Sequence, residues 1–244
     1  MKYLALALAL AACGDGDDND PTKDWVANTG APAHVNGMAF VFGPNGGGLV
    51  LEGATVSVTE DPTVSTSVQA DGSFAFDVPS GGPVTFTIAK EGFQTTQSAA
   101  IDVESDGIPM LGFQIPTLDT VGILATLIRI TVDPARCQVV TTVSRAGTEP
   151  YGGTGLGVEG AIVTLDPPKD ADGPIYFMYD PTLPTPSRDL TMTSLDGGIV
   201  YANVAVGEYT MAATKAGVNM SDIDIRCRAG VLVNAAPPHG IQEI

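Results

Sequence analysis

The chain has 244 residues, is 44% hydrophobic, and carries 11 basic against 28 acidic side chains, a formal net charge of −17. That length suits two domains of about 100 residues, each with its own apolar core. The acidic balance speaks against nucleic-acid binding, which needs a basic footprint on phosphate, and against polybasic docking to anionic lipid.

Residues 1–12 open with Met1-Lys2-Tyr3 and continue as a Leu/Ala run, and Leu10-Ala11-Ala12 precede Cys13. A basic start, a short apolar stretch and small residues before a cut form a secretory signal. Leu-Ala-Ala-Cys resembles the bacterial lipoprotein lipobox, which implies cleavage before Cys13, acylation of that residue and a membrane anchor. In that resemblance Gly14, rather than Asp, implies an outer-membrane destination. Residues 13–34 then read as an acidic flexible tether, with Asp15, Asp17, Asp18 and Asp20 repelling one another. A calcium loop would need the EF-hand spacing, its glycine and its closing Glu, and these are missing. Trp25 stands alone in this stretch and receives no role.

The next element occurs twice. Glu52-Gly53-Ala54-Thr55-Val56-Ser57-Val58 is matched by Glu159-Gly160-Ala161-Ile162-Val163-Thr164-Leu165. Asp71-Gly72, Gly82 and Lys90-Glu91-Gly92 are matched by Asp196-Gly197, Gly207 and Lys215-Ala216-Gly217. Apolar residues alternate in each copy: Ala54, Val56 and Val58; Phe74, Phe76 and Val78; Val84, Phe86 and Ile88; then Ala161, Val163 and Leu165; then Tyr209, Met211 and Ala213. Period two with turn signals between short runs predicts strands and a β-sandwich. Asp-Gly predicts a two-residue type I′ turn, which needs φ > 0 at both central positions. The second copy carries an insertion between Leu165 and Asp196 that is rich in proline and reads mostly as loop.

The order of these features resembles the carboxypeptidase regulatory-like domain. The resemblance is good over residues 35–103 and weaker over 138–228, where Ile199 and Tyr201 stand in place of Phe74 and Phe76. It implies a prealbumin-like sandwich and an accessory, adhesive or binding role, and it brings no catalytic residue. The expected fold is therefore mainly β: two tandem prealbumin-like sandwiches, 35–103 and 136–230, joined by residues 104–135. In that connector Leu118, Val121, Leu124, Ala125 and Ile128 have helical spacing behind Thr117, and Asp133-Pro134 is the expected stop. The expected helix docks on one or both sandwiches. Residues 231–244 read as a partly extended tail.

Gly155-Leu156-Gly157-Val158-Glu159-Gly160 matches a dinucleotide fingerprint by letter, but a strand follows it where a helix is required. With Cys13 assigned to lipid, Cys137 and Cys227 remain, in an oxidising compartment, on the first and last strands of the second sandwich. They are expected to form a disulfide, with free thiols as the alternative. Two histidines, His34 and His239, cannot supply a His₃ zinc site, and neither H-E-x-x-H nor G-x-S-x-G occurs. The His pair of intradiol dioxygenases and the Tyr-Arg-Gly-Ser ending of transthyretin-like hydrolases are also missing. No metal, cofactor or catalytic set is therefore assigned. The expected function is a non-catalytic, lipid-anchored envelope protein that binds or scaffolds an envelope protein or polysaccharide. The alternative is a carbohydrate-binding module, in which Tyr176, Phe177 and Tyr179 stack on sugar rings with Tyr151 and the carboxylates of Asp172 and Asp180 nearby. The same letters also suit another sandwich strand.

Overall fold

A computed structural model describes residues 21–22, 24–43, 49–148, 157–168, 170–180 and 184–244. Cys13, Gly14, Tyr151 and the acidic stretch from Asp15 to Asp20 lie outside the described residues. The first repeat runs β1 (Pro32–Phe42), β2 (Thr55–Val58), β3 (Ser65–Ser67), β4 (Ser73–Pro79), β5 (Gly82–Val84), β6 (Phe86–Ala89), β7 (Thr96–Gln97), β8 (Ile101–Val103) and β9 (Ile108–Pro116). Alternation builds its core. Val35, Val56, Val58, Phe74, Phe86, Ile88 and Phe113 point inward from two facing sheets and are buried. Phe74 meets Phe113 at 6.1 Å between ring centroids, and Phe76 meets Phe86 edge-on at the same distance. One sheet has the order β4-β1-β9, with β1 antiparallel to β4 and parallel to β9.

Residues 108–116, read from sequence as the start of the connector, are thus a strand of the first sandwich. The helix follows directly. α1 (Leu118–Leu127) begins at Thr117, whose hydroxyl accepts the Thr120 N–H at 3.1 Å, with Asp119 in the first turn. It ends earlier than the expected stop at Asp133-Pro134. Arg129 takes a left-handed φ of 59°, its N–H reaches Thr126 O, and the Ile130 N–H reaches Ala125 O. These two bonds close a Schellman motif, with an arginine where glycine is usual.

The second repeat runs β10 (Cys137–Thr142), β11 (Ile162–Asp166), β12 (Asp172–Met178), β13 (Thr185–Ser187), β14 (Gly198–Val204), β15 (Gly207–Thr214), β16 (Ile223–Cys227) and β17 (Leu232–Ala235). β14-β10-β17 repeats β4-β1-β9 with the same antiparallel and parallel senses, and β11-β15-β16 faces it. The insertion, read as mostly loop, supplies β12 and β13 to the edge of β14. The segment read as a tail supplies β17 and then folds back: the Ser144 N–H reaches Ile241 O, and the Ile244 N–H reaches Asn219 O.

The two repeats share one sheet. β17 pairs in parallel with β7, Leu232 opposite Thr96 and Val233 opposite Gln97, and the Leu232 N–H donates to Thr95 O at 3.0 Å. A nine-stranded sheet, β13-β12-β14-β10-β17-β7-β6-β2-β3, therefore runs through both sandwiches.

The Asp-Gly pairs turn differently from the expectation. Gly72 and Gly197 have φ of 86° and 75°, while Asp71 and Asp196 are not left-handed. The Gly72 N–H bonds Gln69 O and the Gly197 N–H bonds Ser194 O, so in each case the Asp is the last central residue of a tight turn and the Gly follows it. Each Asp Oδ1 then accepts the N–H two residues on, from Ser73 and from Gly198 at 3.0 Å. The first turn carries the chain from β3 to β4, which lie in different sheets.

Candidate functional site

Two regions bring functional groups together. The first is the junction between the sandwiches. Glu60, just past β2, has a fully buried side chain. Its Oε1 accepts Arg228 Nη2 at 2.8 Å and Arg226 Nη1 at 3.0 Å, both from the end of β16 in the other repeat. The Thr85 N–H and hydroxyl donate to the same carboxylate at 2.9 Å. Burial alone would raise the Glu60 pKa. The Thr85 backbone N–H, the Arg228 bond and the Thr85 hydroxyl offset it and hold the carboxyl below the usual glutamate value. Arg228 also donates to Gln97 Oε1 at 2.7 Å, and Gln97 returns a bond to Arg226 O. Burial pulls the Arg228 pKa down, against the opposing pull of Glu60.

Trp25 closes this network from outside. Its ring lies 4.5 Å from the Arg228 guanidinium carbon, and its indole N–H donates to Glu208. It is 9% exposed, so the segment read as tether is fixed at this point. Sequence reasoning passed over it because its partners lie some 200 residues away, and nothing local marks it. Cys137 and Cys227 are joined by a disulfide with 5.7 Å between Cα atoms, linking β10 to the same strand that carries Arg226. Arginine and cysteine thus leave one short segment in opposite directions, one towards the first repeat and one into the second core.

The second region is an apolar cleft of about 170 Å³ between α1 and the outer face of the nine-stranded sheet. Val140, Val200 and Leu232 form its floor, and Val121, Leu124 and Ala125 its roof. Phe177 closes one end. Because α1 covers this face, β14 and residues 175–177 of β12 are buried on both sides. Ile175 and Phe177 face the helix side, and Tyr176 faces the sandwich core. One charged side chain lines the cleft among the described residues, Asp196. Burial raises its carboxyl pKa, and the Gly198 N–H offsets part of that rise.

This geometry corrects the stacking platform. Tyr176 is 1% and Phe177 6% exposed, so neither offers a face to a sugar ring. The Tyr176 hydroxyl accepts the Val163 N–H at 3.1 Å. Tyr179 is partly exposed. Asp172 is paired with Arg188, and the Arg188 Nε donates to Ile128 O, tying the insertion to the end of the helix. His34 meets Asp77 on the surface at 2.8 Å, and His239 is bonded to Met110 O with its pKa lowered by burial. Among the described residues no three His, Cys, Asp or Glu side chains could hold a metal ion, and no helix is long and apolar enough to cross a membrane.

Residues 41–115 match the family model of the carboxypeptidase regulatory-like domain. The match spans from the end of β1 to the end of β9, so this part of the first sandwich is similar to a domain of that kind. No curated protein matches the sequence. Among solved structures, the Bacillus anthracis TIE protein is similar over 87% of this chain and 34% of its own, with 12% identity and a TM-score of 0.27. This chain thus spans about a third of that protein. The shaft pilin SpaA of Lactobacillus rhamnosus GG is similar over 87% of this chain and 97% of its own, at 9% identity and a TM-score of 0.26. The minor pilin of Streptococcus agalactiae is similar over 87% and 96%, at 11% identity and a TM-score of 0.25.

Proposed function

We propose that this chain is a lipid-anchored, non-catalytic protein of the cell envelope, attached to the outer membrane through acylated Cys13, and that it serves as a rigid spacer and scaffold for other envelope proteins. The observation that carries the reading is the sheet shared by both repeats. Two modules joined by main-chain hydrogen bonds and a buried Glu60–Arg226–Arg228 cluster hold a fixed relative position, as a scaffold requires and a hinged, closing enzyme does not. Some dozen residues between Cys13 and Trp25 reach about 40 Å when extended, so the body stays close to the lipid surface. The glycan alternative loses its support with the burial of Tyr176 and Phe177.

The test is palmitate labelling of the native chain and of Cys13→Ser, followed by membrane fractionation and chemical crosslinking in cells. The expected result is label in the outer-membrane fraction, lost in Cys13→Ser, and a discrete crosslinked adduct with an envelope protein. An unlabelled wild-type protein would remove the anchor. Crosslinking to polysaccharide alone would overturn the protein-scaffold part.

A further inference from the structure

The cleft under α1 has a feature that scaffolding does not need. In the first repeat the turn carboxylate Asp71 sits on the open surface, bonded to the Ser73 N–H and hydroxyl. Its counterpart Asp196 makes the same bond to the Gly198 N–H, but it is half-buried and lines a cleft whose other walls are apolar side chains of α1 and the insertion. Among the described residues no cation pairs with Asp196, and no Lys, Arg or His lines the cleft. A carboxylate held in an apolar wall without a counter-charge attracts a cation that brings its own apolar surface. Size narrows the class. An apolar cavity of about 150 Å³ holds a benzene ring, and this cleft measures about 170 Å³.

We propose that the cleft between α1 and the β10–β14 face is a binding site for a small primary amine bearing one ring-sized apolar group, with the ammonium at Asp196 and the apolar group between Val200 and Leu124. The charge of the chain favours such a ligand over an anionic one of equal size, since the net charge is −17. Gln138 and Asn234 also line the cleft, with their amides bonded to Asn203 and to Gln114 O, so Asp196 is the polar group that selects the ligand. The site is independent of the scaffolding reading and stands whether or not Cys13 is acylated.

The probes are benzylamine, benzyl alcohol and benzoate, titrated into the full chain carrying Cys13→Ser, so that no acyl group competes for the cleft. The readout is the NMR shift of the Val140, Val200, Leu124 and Ile128 methyl groups. The expected result is saturable shifts at these methyls with benzylamine, at least threefold tighter than benzyl alcohol, with benzoate weakest. In Asp196→Asn, which keeps an acceptor for the Gly198 N–H, benzylamine and benzyl alcohol should bind within twofold of each other. Filling the cleft with Ala125→Phe should abolish both. Val140→Phe fills it from the opposite wall, and the unchanged methyl spectrum of the first-repeat core identifies a folded variant. Equal affinity for the three probes, an amine preference that survives Asp196→Asn, or shifts confined to other surfaces would each overturn the proposal.

Discussion

The two repeats have the same strand order and close the same edge by different means. In the first, β3 covers the outer edge of β2, with Val56 opposite Thr66. In the second, the chain leaves β11 to build β12 and β13 on the other sheet, and among the described residues no strand takes that place beside β11. Side chains take over its main-chain groups. Thr193 exchanges bonds with Ala161, Tyr176 accepts the Val163 N–H, and the Tyr201 hydroxyl donates to Val163 O at 3.0 Å. Burial raises the pKa of both tyrosines, and the Tyr201 hydroxyl keeps its proton as the donor to Val163 O. The difference teaches that an insertion can move a strand from one sheet to another if buried polar side chains satisfy the edge it leaves. The same move creates a second apolar face on β12 and β14, which α1 covers imperfectly and so leaves a cleft.

The largest way to break the comparison is the disulfide, which only the second repeat has. Replacing Cys137 and Cys227 by Ser opens a link between residues 90 apart. In the chain-entropy account this costs about 4–5 kcal/mol. Urea denaturation with and without reductant should give that difference in the wild type and none in the double variant.

Next comes the junction. Glu60→Ala leaves Arg228 without its carboxylate and Arg226 with only Glu208, at 3.5 Å, and should cost about 3 kcal/mol. It should also split a single unfolding transition into two, one for each repeat. The acid dependence follows from sign. Glu60 has a folded pKa below its ordinary value of 4.5, so its contribution is complete above that pH and is lost as pH falls through the folded value. Glu60→Gln should flatten the wild-type stability profile below about pH 4.5 and leave its shape unchanged at neutral pH.

Smaller effects sharpen the account of the edges. Tyr201→Phe removes the donor to Val163 O and should cost about 1–2 kcal/mol, read as a shift in the denaturation midpoint. Thr66→Ala on β3 should cost less, because main-chain bonds close that edge in the first repeat. Trp25→Ala should cost about 1 kcal/mol through the lost stacking on Arg228. Limited proteolysis should then cut near Trp25 in the variant but not in the wild type.

The duplicated strands were legible because period-two burial and Asp-Gly turns are local signals. Val56 and Val163, Phe86 and Met211 all point inward as their spacing requires. The family resemblance over the first repeat agrees with the match at 41–115, and the expected pairing of Cys137 with Cys227 is the disulfide observed. β9 and β17 were missed because Pro109, Gly112 and Pro116 punctuate one and Ala-Pro-Pro follows the other, and parallel pairing has no turn to announce it. The β17–β7 join rests on long-range register, and Trp25 on partners far along the chain. Tyr176 misled because an aromatic run looks like a surface until one knows that a helix covers the outer face of its strand.

The central claim is that the sandwiches form one rigid body through the β17–β7 join. Hydrogen exchange of the Leu232 amide, which donates across that join to Thr95, tests it most directly. The account predicts that this amide exchanges only by global unfolding, as slowly as core amides such as Val56 and Val163. Fast exchange at Leu232 with both cores still protected would mean that the modules part and rejoin freely, and the rigid scaffold would be contradicted.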